Sequence, residues 1–198
     1  MYPRQRLDAF GDAIFAVSMT LLALDVRLPD DLEPADSAAL ATAILALWPK
    51  FLPYALSFYV LGVRWLAMLR LRGGPEDYGP SYARYLLAFL FLVTCVPFTT
   101  TAVGQHASLA PAIWLYAGNT ALIGLLSFAL LRHTPGLTDK TARRDREVAQ
   151  AMLVGSALIA IGWSFVDPRQ ALLALALNLL SPALIRLSRR AGAPRRAR

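Results

Sequence analysis

The sequence holds one cysteine, Cys95, and two histidines, His106 and His133, in 198 residues. A lone cysteine excludes an intramolecular disulfide and a cysteine-based zinc site. It lies mid-run and suits a small apolar packing role. Each histidine stands at the end of an apolar run, without a partner at ligand spacing, and is expected at a membrane–water boundary. No His/Asp/Glu cluster has metal spacing, and neither a G-x-S-x-G elbow nor a Gly-rich phosphate loop is present. These absences speak against hydrolase and nucleotide-driven chemistry, so no enzyme and no cofactor is expected. The carbonyl filter motif TVGYG is missing, which excludes channels of that design, and no span carries arginine at every third residue as a voltage sensor would. Neither end carries a lipidation motif. There is no internal repeat and no soluble domain.

Charge is scarce too, at 17% of residues, while 57% are apolar. Soluble domains carry roughly 25% charge. The apolar residues gather in blocks of about 20, enough to cross roughly 30 Å of hydrocarbon as helices. The fold class expected is therefore an all-α integral membrane protein. One compact domain over 1–190 is expected, with a basic tail over 191–198 placed to touch anionic lipid. The net charge of +7 would suggest nucleic acid in a soluble protein. Here the arginines sit at block ends, where they set orientation, so no nucleic-acid partner is expected.

Six spans emerge, at about 7–28, 50–72, 82–103, 110–132, 146–166 and 169–187. Residues 1–28 imitate a signal peptide, but Asp8 and Asp12 interrupt the run and more spans follow, so cleavage is not expected. The stretch 38–48 is about 16 Å long as a helix, too short to span. Pro49 and Pro53 break its continuation, which predicts either a bent extension of the second span or a short helix on the outer surface. With both termini inside, 16 of 20 basic residues fall on the cytoplasmic side, as the positive-inside rule requires. The first outer loop is acidic, with Asp30, Asp31, Glu33 and Asp36. It is either a solvated loop or a vestibule that concentrates cations. Arginine far exceeds lysine and alanine is abundant, which points to a GC-rich bacterial genome and a bacterial inner (plasma) membrane.

On the first span, Val17, Leu21 and Leu24 share a helix face, flanked by Thr20. Lipid contact or core packing explains such a stripe. Several copies around an axis would instead form a hydrophobic constriction that gates ions by dewetting, with threonine hydroxyls replacing part of the hydration shell. Asp12 lies on the same helix, about 9 Å from Arg6. A carboxylate at that depth is costly unless paired or wet. Arg64 on the second span falls at a similar depth, so Asp12 is expected to pair with Arg64 or Arg6. Direct ion binding by Asp12 is the second choice. Asn119 and Asn178, and the threonines at 99–101, are expected as interhelical hydrogen-bonding groups.

The first span also carries a motif. Arg6, Phe10, Gly11 and Asp12, followed by AIFAVSMTLLALDVRLP, resemble the R-x-x-x-F-S-D signature of the transmembrane protein 175 family of potassium channels, of the bacterial six-helix, single-repeat type. The resemblance continues in SFYVLGVRW at 57–65 and in Pro97–Phe98. It implies a homotetramer of six-helix subunits whose first helices line a central pore for K⁺, the permeant ion. Pore-facing residues would be Val17, Thr20 or Leu21, and Leu24. Arg6, Phe10, Gly11 and Asp12, with Arg64 and Trp65 on the second span, would brace the pore helix. There are departures. The signature serine is Gly11, and Val17 is smaller than the usual gate residue, which implies a wider or leakier constriction and weaker selectivity over Na⁺; a proton leak through the same route is implied by analogy with the family. Ala67 and Met68 replace a histidine pair that many bacterial relatives carry. From a different functional class, a small secondary transporter or a non-conducting helical membrane protein is the alternative. A transporter would favour broken helices around a midplane site.

Overall fold

A computed structural model describes residues 1–29, 32–69, 76–133 and 140–176. After a short strand β1 (Tyr2–Pro3), helix α1 runs over Arg4–Leu21 and tightens into a 3₁₀ turn at Leu22–Asp25. The expected helix reached Leu28, but at Val26 the backbone leaves the helical region (φ −87°, ψ 73°). The apolar pattern persists to Leu28, yet Pro29 disfavours helix at the residue before it. Helix α2 (Ser37–Leu45) follows, capped by Asp36, whose Oδ1 accepts from the Ala39 N–H at 2.8 Å. A two-residue turn then leads into α3 (Trp48–Leu69). The 38–48 segment is thus a separate short helix with no buried residue, and Pro53 is absorbed within the first turns of α3.

Strand β2 (Asp77–Tyr78) precedes α4 (Pro80–Thr94) and α5 (Val96–Gln105). These two helices together make the expected third span. Their break at Cys95 follows from Pro97, which has no N–H to donate to Val93 one turn back. Next come α6 (Ala110–His133), α7 (Lys140–Trp163) and α8 (Pro168–Ala176). Among the described residues, four stretches are long and apolar enough to cross a membrane: Arg4–Asp25, Lys50–Leu69, Pro80–Gln105 and Ala110–His133. The protein is a multi-pass membrane protein. The expected fifth span falls in α7, whose first turns are charged. The expected sixth begins in α8, and its remainder, with Asn178 and the tail 191–198, lies outside the described residues.

The helices alternate in direction, as their end contacts show. β1 pairs antiparallel with β2, and the Arg4 N–H donates to the Glu76 carbonyl at 2.9 Å. The start of α1 therefore lies beside the start of α4. The His133 ring, ending α6, sits 4.7 Å from Tyr85 at that same end. At the opposite end Gln105 Nε2 donates to Asp25 Oδ1 at 3.1 Å, and Trp114 Nε1 donates to Ser164 Oγ at 2.8 Å. Arg4, Arg6, Arg84 and Arg132 thus gather at one end of the bundle, as the charge pattern required.

Two packed clusters hold the helices. One joins Phe15 and Leu22 to Leu61, Leu86, Phe89, Leu90 and Val93. The other is built on small residues, including Ala117, Ala157, Ala160 and Ala171. Small residues let α6 and α7 approach closely, as membrane helices do without a hydrophobic driving force between them. Gly124 marks the tightest point: a Cβ there would lie 2.7 Å from Val154 Cγ2.

Candidate functional site

Helix α1 has two unlike faces. Gly11, Phe15, Ser18 and Leu22 are buried, and Phe15 packs against Phe89 of α4 with ring centroids 6.0 Å apart. On the other side Val17 is 55% exposed, Leu21 44% and Leu24 67%, and Phe10 and Thr20 are exposed with them. Leu24 belongs to the 3₁₀ turn, where residues i and i+3 eclipse, so it stands directly above Leu21. The four residues singled out here therefore form one stripe that the described residues leave uncovered. Thr20 Oγ1 donates to the Val17 carbonyl at 2.8 Å. With its proton turned inward, the hydroxyl oxygen keeps lone pairs for an acceptor role outward.

The buried side of α1 carries the acid. Trp65 Nε1 of α3 donates to Asp12 Oδ1 at 2.8 Å. The expected pairing of Asp12 with Arg64 is not formed. Adjacent residues on a helix point about 100° apart, and it is Trp65 that faces α1. Arg64 faces the other way, where its Nη1 donates at 2.8 Å to Ser127 Oγ of α6 and at 2.8 Å to Gln150 Oε1 of α7. Gly11, Asp12 and Trp65 thus come together, while Arg6 and Phe10 are exposed. The Gly11 position leaves ordinary room, since a Cβ would meet Met68 and Leu90 only at 3.9 and 4.0 Å. Ala67 and Met68 border a small cavity beside Arg64.

The start of α1 is anchored separately. Tyr78 is buried and stacks on Tyr82 at 4.0 Å between centroids. Burial first, then the nearby Asp8 carboxylate, pushes the Tyr78 phenol above its ordinary pKa, so it stays neutral under the β1–β2 ribbon. Arg4 Nε lies 4.0 Å from Asp8 Oδ2 one turn on.

Within the subunit, the sequence reading missed a polar ladder. Thr100 Oγ1 donates to Ser57 Oγ at 2.8 Å, and Ser57 shares a 3.0 Å hydrogen bond with the Tyr116 hydroxyl. Ser57, Leu61 and Arg64 follow spacings of four and three on the buried face of α3, and that periodicity was the available signal. Thr100 is the member of the 99–101 triplet that links helices, and Asn119 does so by donating to the Leu92 carbonyl at 3.2 Å, both in keeping with the hydrogen-bonding roles expected. Among the described residues no group of His, Cys, Asp and Glu could hold a metal ion.

Residues 6–97 match the family model described as the endosomal/lysosomal potassium channel TMEM175. A potassium channel of Chamaesiphon minutus is 30% identical over 174 residues, covering 82% of this chain and 84% of that protein. A potassium channel of Streptomyces collinus is 28% identical over 166 residues, 80% of this chain and 78% of the relative. The human endosomal/lysosomal proton channel TMEM175 is 38% identical over 69 residues, 32% of this chain and 14% of that protein. The crystal structure of a lysosomal potassium-selective channel TMEM175 homolog from Chamaesiphon minutus shares the fold, with a TM-score of 0.74 at 24% identity over 91% of this chain and 97% of that one. The signature on α1, the fold and these relatives agree: the chain belongs to the TMEM175 family, a family of ion channels and not of enzymes.

Proposed function

We propose that the chain is one subunit of a passive, potassium-conducting cation channel in a bacterial inner membrane. In this reading each subunit contributes six spans, with α7 and the continuation of α8 as the last two and both termini cytoplasmic. Four copies place their α1 helices around a common axis, and K⁺ is the permeant ion. Val17, Leu21 and Leu24 form rings of apolar side chains spread over about 10 Å of the pore. Such rings pass ions only when wetted. The Thr20 oxygens offer acceptors between them. Arg6 and Phe10, exposed in the single subunit, meet the neighbouring copy, while the Asp12–Trp65 bond holds α1 to its own subunit. Val17 is short for a gate, so selectivity over Na⁺ is weak; by analogy with the family, protons also leak by the same route. The basic tail rests on anionic lipid.

One observation carries this reading: α1 buries one face against its own subunit and leaves the stripe of Val17, Thr20, Leu21 and Leu24 uncovered. The family membership supplies the function that fits such a stripe. Potassium, sodium and proton fluxes into liposomes test it, together with the Val17→Asn variant. A polar ring should wet the constriction and raise cation flux severalfold above wild type. A purified protein that is monomeric in mild detergent, or a Val17→Asn flux equal to wild type, contradicts the proposal.

A further inference from the structure

Arg64 is a buried cation, 9% exposed and facing away from the bare stripe of α1. Both partners of its Nη1, Ser127 and Gln150, are neutral. Its Nε–H is buried and, among the described residues, has no hydrogen-bond partner. An ionised group in this position costs several kcal/mol unless something compensates its charge and its donors. The side chain borders a cavity of about 50 Å³ between α3, α6 and α7, with Phe89 of α4 in its wall and Arg64, Ser127, Arg146 and Gln150 as its polar lining. Among the described residues no carboxylate lines it. A water needs some 10–15 Å³ of such space, so the cavity has room for an ion with water beside it. It lies among the last turns of α3 and α6 and the early turns of α7, near the arginine-bearing end of the bundle, where a solute need not cross the apolar core.

We propose that this cavity binds a small monovalent inorganic anion, chloride in the cell, with the Arg64 guanidinium as its principal ligand and Ser127 and Gln150 holding that guanidinium in place. The anion takes the unused Nε–H and balances the buried charge. It is a structural counter-ion inside each subunit, separate from the cation path, and it locks α3 to the α6–α7 pair. The site stands or falls independently of whether α1 lines a pore.

Thermal unfolding of the purified full chain in lipid-free, non-ionic detergent tests this. Potassium chloride is compared with potassium gluconate at equal K⁺, so no headgroup phosphate competes. Chloride is expected to raise Tm saturably by about 2–4 °C over gluconate, the shift of a ligand worth roughly 1 kcal/mol in a chain of this size. Arg64→Met should abolish the chloride increment. Gln150→Glu supplies a built-in counter-charge, so it should abolish the increment while keeping the gluconate Tm at or above wild type. Equal Tm in the two salts for the wild type overturns the proposal, as does an undiminished increment in either variant. If Arg64→Met does not fold, Gln150→Glu decides alone. Crystals grown in potassium bromide give a second readout. An anomalous peak within hydrogen-bonding distance of Arg64 Nε supports the site, and a cavity holding only water overturns it.

Discussion

The contact between α6 and α7 and the seat of α1 are built on opposite terms. Between α6 and α7, Gly124, Ala117, Ala157 and Ala160 allow close approach along the helices, and no space remains at Gly124. Helix α1 buries one face in the first packed cluster and is pinned by the β1–β2 ribbon at one end, Asp12–Trp65 and Phe15–Phe89 along its length, and Asp25–Gln105 at the other end. The first arrangement completes a subunit interior. The second holds a helix firmly while leaving half its circumference without a partner. The proposed function assigns that uncovered side of α1, and not the interior, to contact with other copies of the chain.

The largest effect should come from filling the tight side. Gly124→Ala puts a Cβ 2.7 Å from Val154 Cγ2, and overpacking of this kind costs roughly 1–3 kcal/mol. Val154→Ala in the same chain should recover much of the loss, a coupling that a double-mutant cycle in thermal unfolding would show. Additive effects would mean that the contact yields more readily than its geometry indicates. Next comes the fastening of α1. Trp65→Phe removes the only N–H the ring can offer and with it the hydrogen bond to Asp12, at a cost of about 1 kcal/mol, seen as lower Tm and lower yield of assembled protein. Gly11→Ala should stabilise by about 1 kcal/mol, since Ala is the better helix former and the space is open. Smallest for subunit stability is the bare side: Val17→Asn should stay within about 0.5 kcal/mol, because the side chain touches little in its own subunit.

Much of this was legible in the chain. Block lengths and arginine placement gave the membrane class and the alternation of helix directions, because both are set by the bilayer rather than by packing detail. The motif at Arg6–Asp12 gave the family. Pro29 marked the end of the first span to within a turn. What stayed hidden depended on rotation about a helix axis. Arg64 and Trp65 are neighbours in sequence at the depth of Asp12, and charge alone favoured the arginine. The choice was made instead by Ser57 and Leu61, which turn the Arg64 side of α3 toward α6 and α7 and leave Trp65 for α1. The break at Cys95 was written in Pro97 but masked by the unbroken apolar composition around it.

The central claim is that the bare stripe of α1 faces a shared aqueous path. In a Cys95→Ala background, Val17→Cys would carry the sole thiol, and potassium efflux from proteoliposomes can be followed as a charged, membrane-impermeant thiol reagent is added. The account predicts that reagent reaching Cys at position 17 through the water path abolishes most of the efflux. Efflux that persists unchanged, with the thiol labelled only by a lipid-soluble maleimide, would place the stripe against acyl chains and contradict it.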